Sequence, residues 1–157
     1  MPRVTRVDGV QVHAAFRFEG AVREALHRGK FEGDRGALRE LARLTAQRLH
    51  LQSMTRPDAV VAVPLGTRRG KHRGYNQAEI IAAELASAVN VPLVEGLVRV
   101  RETPPQSRRG ERSRRLNLEG ALEWRGPALE RMRLWLVDDV VTTGATTSAA
   151  ATALRAS

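Results

Sequence analysis

The chain has 157 residues, of which 42% are hydrophobic and none is cysteine, and it carries a formal net charge of +9. That length fits one domain with a real core, and the missing thiols exclude disulfides, thiolate metal sites and a cysteine nucleophile. No apolar run reaches the length a bilayer needs and the N-terminus lacks a signal-peptide core, so a cytoplasmic protein without membrane insertion is expected, one whose charge attracts polyanions.

Residues 15–30 read as a strand or turn leading into a short helix, with Val22 and Leu26 spaced by four. Asp34 then caps a second helix that places Leu38, Leu41, Ala42, Thr45 and Leu49 on one face. Arg56-Pro57-Asp58 breaks the pattern. AVVAV, Ala59 to Val63, is short and β-branched and is expected to be a buried strand ended by Pro64. After a basic loop, Asn76 caps a third helix, with Glu79 placed for a capping box and Ile81, Leu85 and Ala88 on one side. PLVEGLVRV, from Pro92, reads as one or two strands ending near Arg101. Residues 102–118 have no apolar periodicity and form a long loop. LWLV, Leu134 to Val137, marks another buried strand, and Gly144 to Ser157 an alanine-rich helix. Strands alternating with helices in this way indicate an α/β fold with a parallel sheet.

In such a sheet ligands bind beyond the carboxyl ends of the strands, and three features fall there. The first is VDDVVTTGATT, Val137 to Thr147. Thr142, Thr143, Gly144, Ala145 and Thr146 lie where the last helix begins, so backbone N–H groups, the helix dipole and threonine hydroxyls suit a phosphate dianion. Asp138 and Asp139 precede them; carboxylates there can accept hydrogen bonds from sugar hydroxyls and offset positive charge on a ribose ring. A 5-phosphorylated ribose satisfies both halves of the array. A strand followed by solvated acids and a threonine cap is the plainer alternative.

The second feature, VPLGTRRGKHRGYNQAE, superficially resembles an ATP-binding P-loop. Only three residues separate Gly66 from Gly70, however, and His72 stands where a serine or threonine should meet magnesium. What remains is a tight basic loop holding Arg68, Arg69, Lys71 and Arg73. The third feature is the long loop, where Arg99, Arg101, Arg108, Arg109, Arg112, Arg114 and Arg115 face only Glu102 and Glu111 in sequence. The four histidines, His13, His27, His50 and His72, have no metal-ligand spacing, and only Lys30 and Lys71 among the 26 basic residues are lysines.

The acid pair and threonine loop resemble the phosphoribosyl diphosphate (PRPP) motif of type I phosphoribosyltransferases. RGYNQAE after a VPL loop, R-x-T-x-x-Q from Arg101 to Gln106, ERSRRLNLEGAL and the segment EGAVREALHRGKFEG are together similar to the competence-associated ComF family. The resemblance implies the type I phosphoribosyltransferase fold: a central, mainly parallel sheet flanked by helices, with residues 1–57 as a small helical hood and 58–157 as the PRPP-binding core of one compact domain. It implies that Asp138 and Asp139 are catalytic and bind the ribose hydroxyls, and that Thr142 to Thr146 hold the 5-phosphate. Leu65, Gly66, Thr67 and Arg68 would grip the pyrophosphate, and a flexible loop carrying Arg101, Thr103, Gln106, Arg108 and Arg112 would close over the substrate. The cofactor implied is Mg²⁺, brought with PRPP and not held directly by the protein. The partners are a base or amine acceptor that no residue names, competence machinery, and a second copy in a homodimer. Two departures from the family pattern stand out: this sequence shows no cysteine-rich zinc module of the kind many members carry, and the family normally continues into another strand after the position of Leu154. Either the chain is a truncated form or its sheet lacks an edge strand, and truncation would leave apolar surface of the last helix and its neighbouring strand uncovered. An alternative reading keeps the fold without catalysis, as a single-stranded DNA-binding competence factor using the arginine loop.

Overall fold

A computed structural model describes residues 2–65, 74–101, 118 and 120–157. The chain opens with a β-hairpin, β1 (Arg3–Val7) and β2 (Val10–Ala14), paired antiparallel from Arg3↔Ala14 to Val7↔Val10. Asp8 and Gly9 between them both have positive φ, 47° and 79°, the geometry that lets a two-residue turn follow the natural strand twist. The segment read in sequence as a small helical hood, residues 1–57, thus carries this hairpin ahead of its helices, and an Asp-Gly pair between alternating apolar residues is a strong hairpin signal.

Two helices follow, α1 (Gly20–Phe31) and α2 (Arg35–Arg48). Asp34 caps α2 as expected, its carboxylate accepting the Ala37 N–H at 2.8 Å. The helices approach closely at Gly29, where any Cβ would meet Leu38 side-chain carbons at 2.5 Å. Leu38 is fully buried at that contact. Then come β3 (Ala59–Ala62), α3 (Gln77–Ala88), β4 (Leu97–Arg99), β5 (Leu122–Trp124), β6 (Leu134–Val137) and α4 (Ala145–Arg155). β5 was not anticipated. The segment expected to hold one or two strands contains an isolated parallel bridge, Leu93 with Val60, followed by β4.

The arrangement is mixed α/β. β3 and β6 pair in parallel, Ala59 opposite Leu134 and Ala62 opposite Val137, whereas β4 and β5 are antiparallel. Both strands of the parallel pair are apolar on both faces because both faces are covered. On one side Val60 and Val137 join Leu26, Leu38, Leu41, Ile81 and Leu85 from α1, α2 and α3. On the other, Val61, Leu134 and Leu136 pack with Leu97, Leu122 and, from α4, Ala150 and Leu154. Parallel pairing is thus confined, among the described residues, to β3, β6 and the Leu93 bridge, a smaller parallel element than expected.

Candidate functional site

The site grows from the carboxyl ends of the two parallel strands. Just past them the Val63 N–H donates to the Val137 carbonyl at 2.9 Å, so the chain leaving β3 and the chain leaving β6 start side by side. Leu65, half-buried, lies two residues beyond Val63, and Asp138 directly follows Val137. Asn76 fixes the return of the basic loop. Its amide donates to the Val63 carbonyl at 2.8 Å while its oxygen accepts the Ala78 N–H at 3.0 Å, capping α3 as expected. Glu79 is exposed.

Asp138 and Asp139 are both half-buried. The Asp139 backbone N–H donates to Asp138 Oδ1 at 2.8 Å. Burial pushes the Asp138 carboxyl up to about 7, and the charge of Asp139 and a hydrogen bond to its side chain push the same way. The Asp139 N–H and the positive charge of Arg99 oppose the rise. Arg99 therefore acts electrostatically on Asp138 from β4, in the segment that reads in sequence as strands ending near Arg101, although it also counts among the arginines of the long loop.

The threonine loop follows directly. Thr142 is exposed, Thr143 and Thr146 are half-buried, and Gly144 and Ala145 are buried. Gly144 stands at the N-cap of α4 with φ 79° and supplies no side-chain cap. The first-turn amides of a helix lack intrahelical partners, and with a glycine cap they face a ligand or water. Here the Ala145 N–H contacts Thr143 Oγ1 at 3.4 Å. A Cβ at Gly144 would meet the Val7 side chain at 2.7 Å, so the hairpin packs directly on the loop. Its turn is tied to α4: the Ser148 hydroxyl donates to the Asp8 carboxylate, and Arg155 to the Asp8 carbonyl at 3.3 Å. Neither Val7 nor Asp8 was singled out in the sequence, although the Asp-Gly turn marks the hairpin that carries them.

The structure thus brings Asp138, Asp139, Thr142, Thr143, Gly144, Ala145, Thr146 and Leu65 to one end of the sheet. Arg101 is described and exposed, two residues past β4. Gly66, Thr67, Arg68, Thr103, Gln106, Arg108 and Arg112 lie outside the described residues. A cleft of about 1320 Å³ runs from the acid pair along β6, walled by Val10–Phe16 on one side and by Thr147, Ala151 and Leu154 of α4 on another.

Comparison with known proteins gives relatives of one kind. The chain is 34% identical to Competence protein F of Haemophilus influenzae over 139 residues, 83% of the chain and 60% of that protein. Identity to DNA utilization protein YhgH of Salmonella typhimurium is 33% over 126 residues, 77% of the chain and 55% of the relative. Competence protein ComFC of Bacillus subtilis is 26% identical over 144 residues, 92% of the chain and 58% of that protein. The chain spans a little over half the length of these relatives. No family model and no solved structure matches it.

Proposed function

The chain belongs to the ComF family, and from that premise and the geometry of its acid pair and threonine loop we propose that it is a PRPP-binding protein of the type I phosphoribosyltransferase class. The observation that carries the reading is the placement of Asp138-Asp139 and the glycine-capped start of α4 at the same carboxyl end of β6. The 5-phosphate would lie on the first-turn amides of α4 and the hydroxyls of Thr142, Thr143 and Thr146. The ribose hydroxyls would donate to Asp138 and Asp139. As pyrophosphate leaves C1, the sugar gains positive charge, and two fixed carboxylates stabilise it without reorganising. Arg99 keeps Asp138 ionisable near neutrality by offsetting part of the cost of its burial. Mg²⁺ accompanying PRPP, without a cage of protein ligands, would neutralise the departing pyrophosphate. Leu65 leads into the loop that would hold the diphosphate.

Calorimetry of the folded chain with PRPP and Mg²⁺ tests this reading. Saturable binding that is lost in Asp138→Asn with Asp139→Asn is expected, and no heat from a folded wild type overturns it. A pyrophosphate-release assay across bases and amines then separates a transferase from a binding protein and identifies the acceptor.

A second reading has its own support. The net charge of +9, and relatives whose names contain competence and DNA utilization, favour contact with nucleic acid. In that reading the PRPP site serves as a sensor or relic. Steeply salt-dependent binding of single-stranded DNA tests it.

A further inference from the structure

We propose that Val7, in the hairpin at the far end of the chain, is a positioning residue for the phosphate end of the site: it clamps Gly144 in the left-handed conformation that presents the first-turn amides of α4. This rests on the PRPP reading. Gly144 stands at the N-cap with φ 79° and supplies no side-chain cap. Glycine adopts left- and right-handed backbone at similar cost, so nothing in Gly144 itself holds that angle. Its surroundings do. A Cβ on Gly144 would lie 2.7 Å and 2.8 Å from the two Val7 methyls and 3.3 Å from Val7 Cβ. The branched side chain thus fills the space beside the Gly144 α-carbon, and reorienting this residue has to displace it.

The hairpin delivers Val7 through its own pairing. Thr5↔Val12 and Val7↔Val10 are cross-strand pairs on one face, and all four side chains are half-buried, whereas Val4, Arg6 and Gln11 on the opposite face are exposed. The turn is then fastened to α4 one and three turns beyond Gly144. The Ser148 hydroxyl donates to the Asp8 carboxylate, and Arg155 donates to the Asp8 carbonyl at 3.3 Å. Gly144, Ser148 and Arg155 follow one another at intervals of four and seven, so they lie along a single stripe of the helix that the hairpin turn covers. The Ser148 N–H also donates to the Gly144 carbonyl at 2.8 Å, closing the first turn of α4. Ser148 therefore ties the hairpin to the same turn whose leading amides, those of residues 145–147, would meet the phosphate. Among the described residues no member of β1 or β2 belongs to either apolar cluster, and a two-stranded hairpin alone is marginally stable. Its contacts with α4 are thus central to seating Val7, and the coupling is reciprocal: a ligand that orders the start of α4 also orders the hairpin.

The test is calorimetry of the full chain with PRPP and Mg²⁺, with thermal melts to identify variants that fold like the wild type. Val7→Ala should weaken binding about three- to tenfold, Val7→Ile should restore it, and Ser148→Ala, which cuts the tie, should weaken it about twofold. In Gly144→Ala, Val7→Ala should weaken binding no further, because there it relieves the clash with the added Cβ. Saturating PRPP should also slow amide hydrogen exchange in β1 and β2 of the wild type. Unchanged affinity in a folded Val7→Ala chain, equal losses in both Gly144 backgrounds, or hairpin exchange that PRPP leaves unaltered overturns this proposal and leaves the PRPP reading standing. No binding by the folded wild type overturns both.

Discussion

Replacing Asp138 by asparagine should make the protein more stable at alkaline pH while removing PRPP binding. The carboxyl sits at about 7 in the folded chain against 3.8 for a free group. Between those values the native state holds a proton that the unfolded state has released, so ΔG of unfolding falls as pH rises. The stability this group contributes is complete below about 4 and lost once pH passes about 7. A shift of this size corresponds to about 4 kcal/mol at most. Solvent reaching a half-buried group reduces that, and about 1–3 kcal/mol is expected. Urea denaturation at a series of pH values from 4 to 8 measures it. The wild type should lose stability across this window, whereas Asp138→Asn should lose much less and exceed it at pH 8. Asp139→Asn should flatten the wild-type slope in part, because the charge of Asp139 is the second cause of the rise. Equal pH profiles for the wild type and Asp138→Asn would refute the burial argument. The gain would identify a site that trades stability for function.

Three further outcomes are expected. Gly144→Ala combines a left-handed backbone with a Cβ 2.7 Å from Val7, and should cost about 1–3 kcal/mol; Val7→Ala in the same chain should recover the steric part, as a double-mutant cycle reads directly. Asn76→Ala removes both the cap of α3 and the bond to the Val63 carbonyl, so a loss of about 1–2 kcal/mol by denaturation should accompany weaker PRPP binding by calorimetry. Gln77 is 1% exposed and its amide has no hydrogen-bond partner among the described residues, so Gln77→Met should be neutral or gain about 1 kcal/mol, and a loss of about 2 kcal/mol would reveal a partner.

What could be read in advance follows how locally each feature is determined. AVVA and LWLV announce strands because both faces must be apolar, and Asp34 and Asn76 announce helix starts because a cap acts within three residues. The acid pair and threonine loop are contiguous, so their chemistry is legible without a fold. β5 is different: three residues, Leu122–Trp124, extended by pairing with Leu97–Arg99. Arg99 is the sharper case. Its segment reads as strand in sequence, yet that its charge bears on Asp138 follows only from the fold. The same holds for Val7, which reaches Gly144 from the far end of the chain. Residue types in VDDVVTTGATT set two carboxylates beside a threonine loop, the groups that the proposed function assigns to a phosphorylated sugar. Whether Asp138 is charged depends on its burial, on Asp139 and on a cation from β4, and the burial and the cation arise from packing between segments distant in sequence. The candidate groups are therefore readable from one stretch, whereas the protonation state of Asp138 is a property of the folded chain.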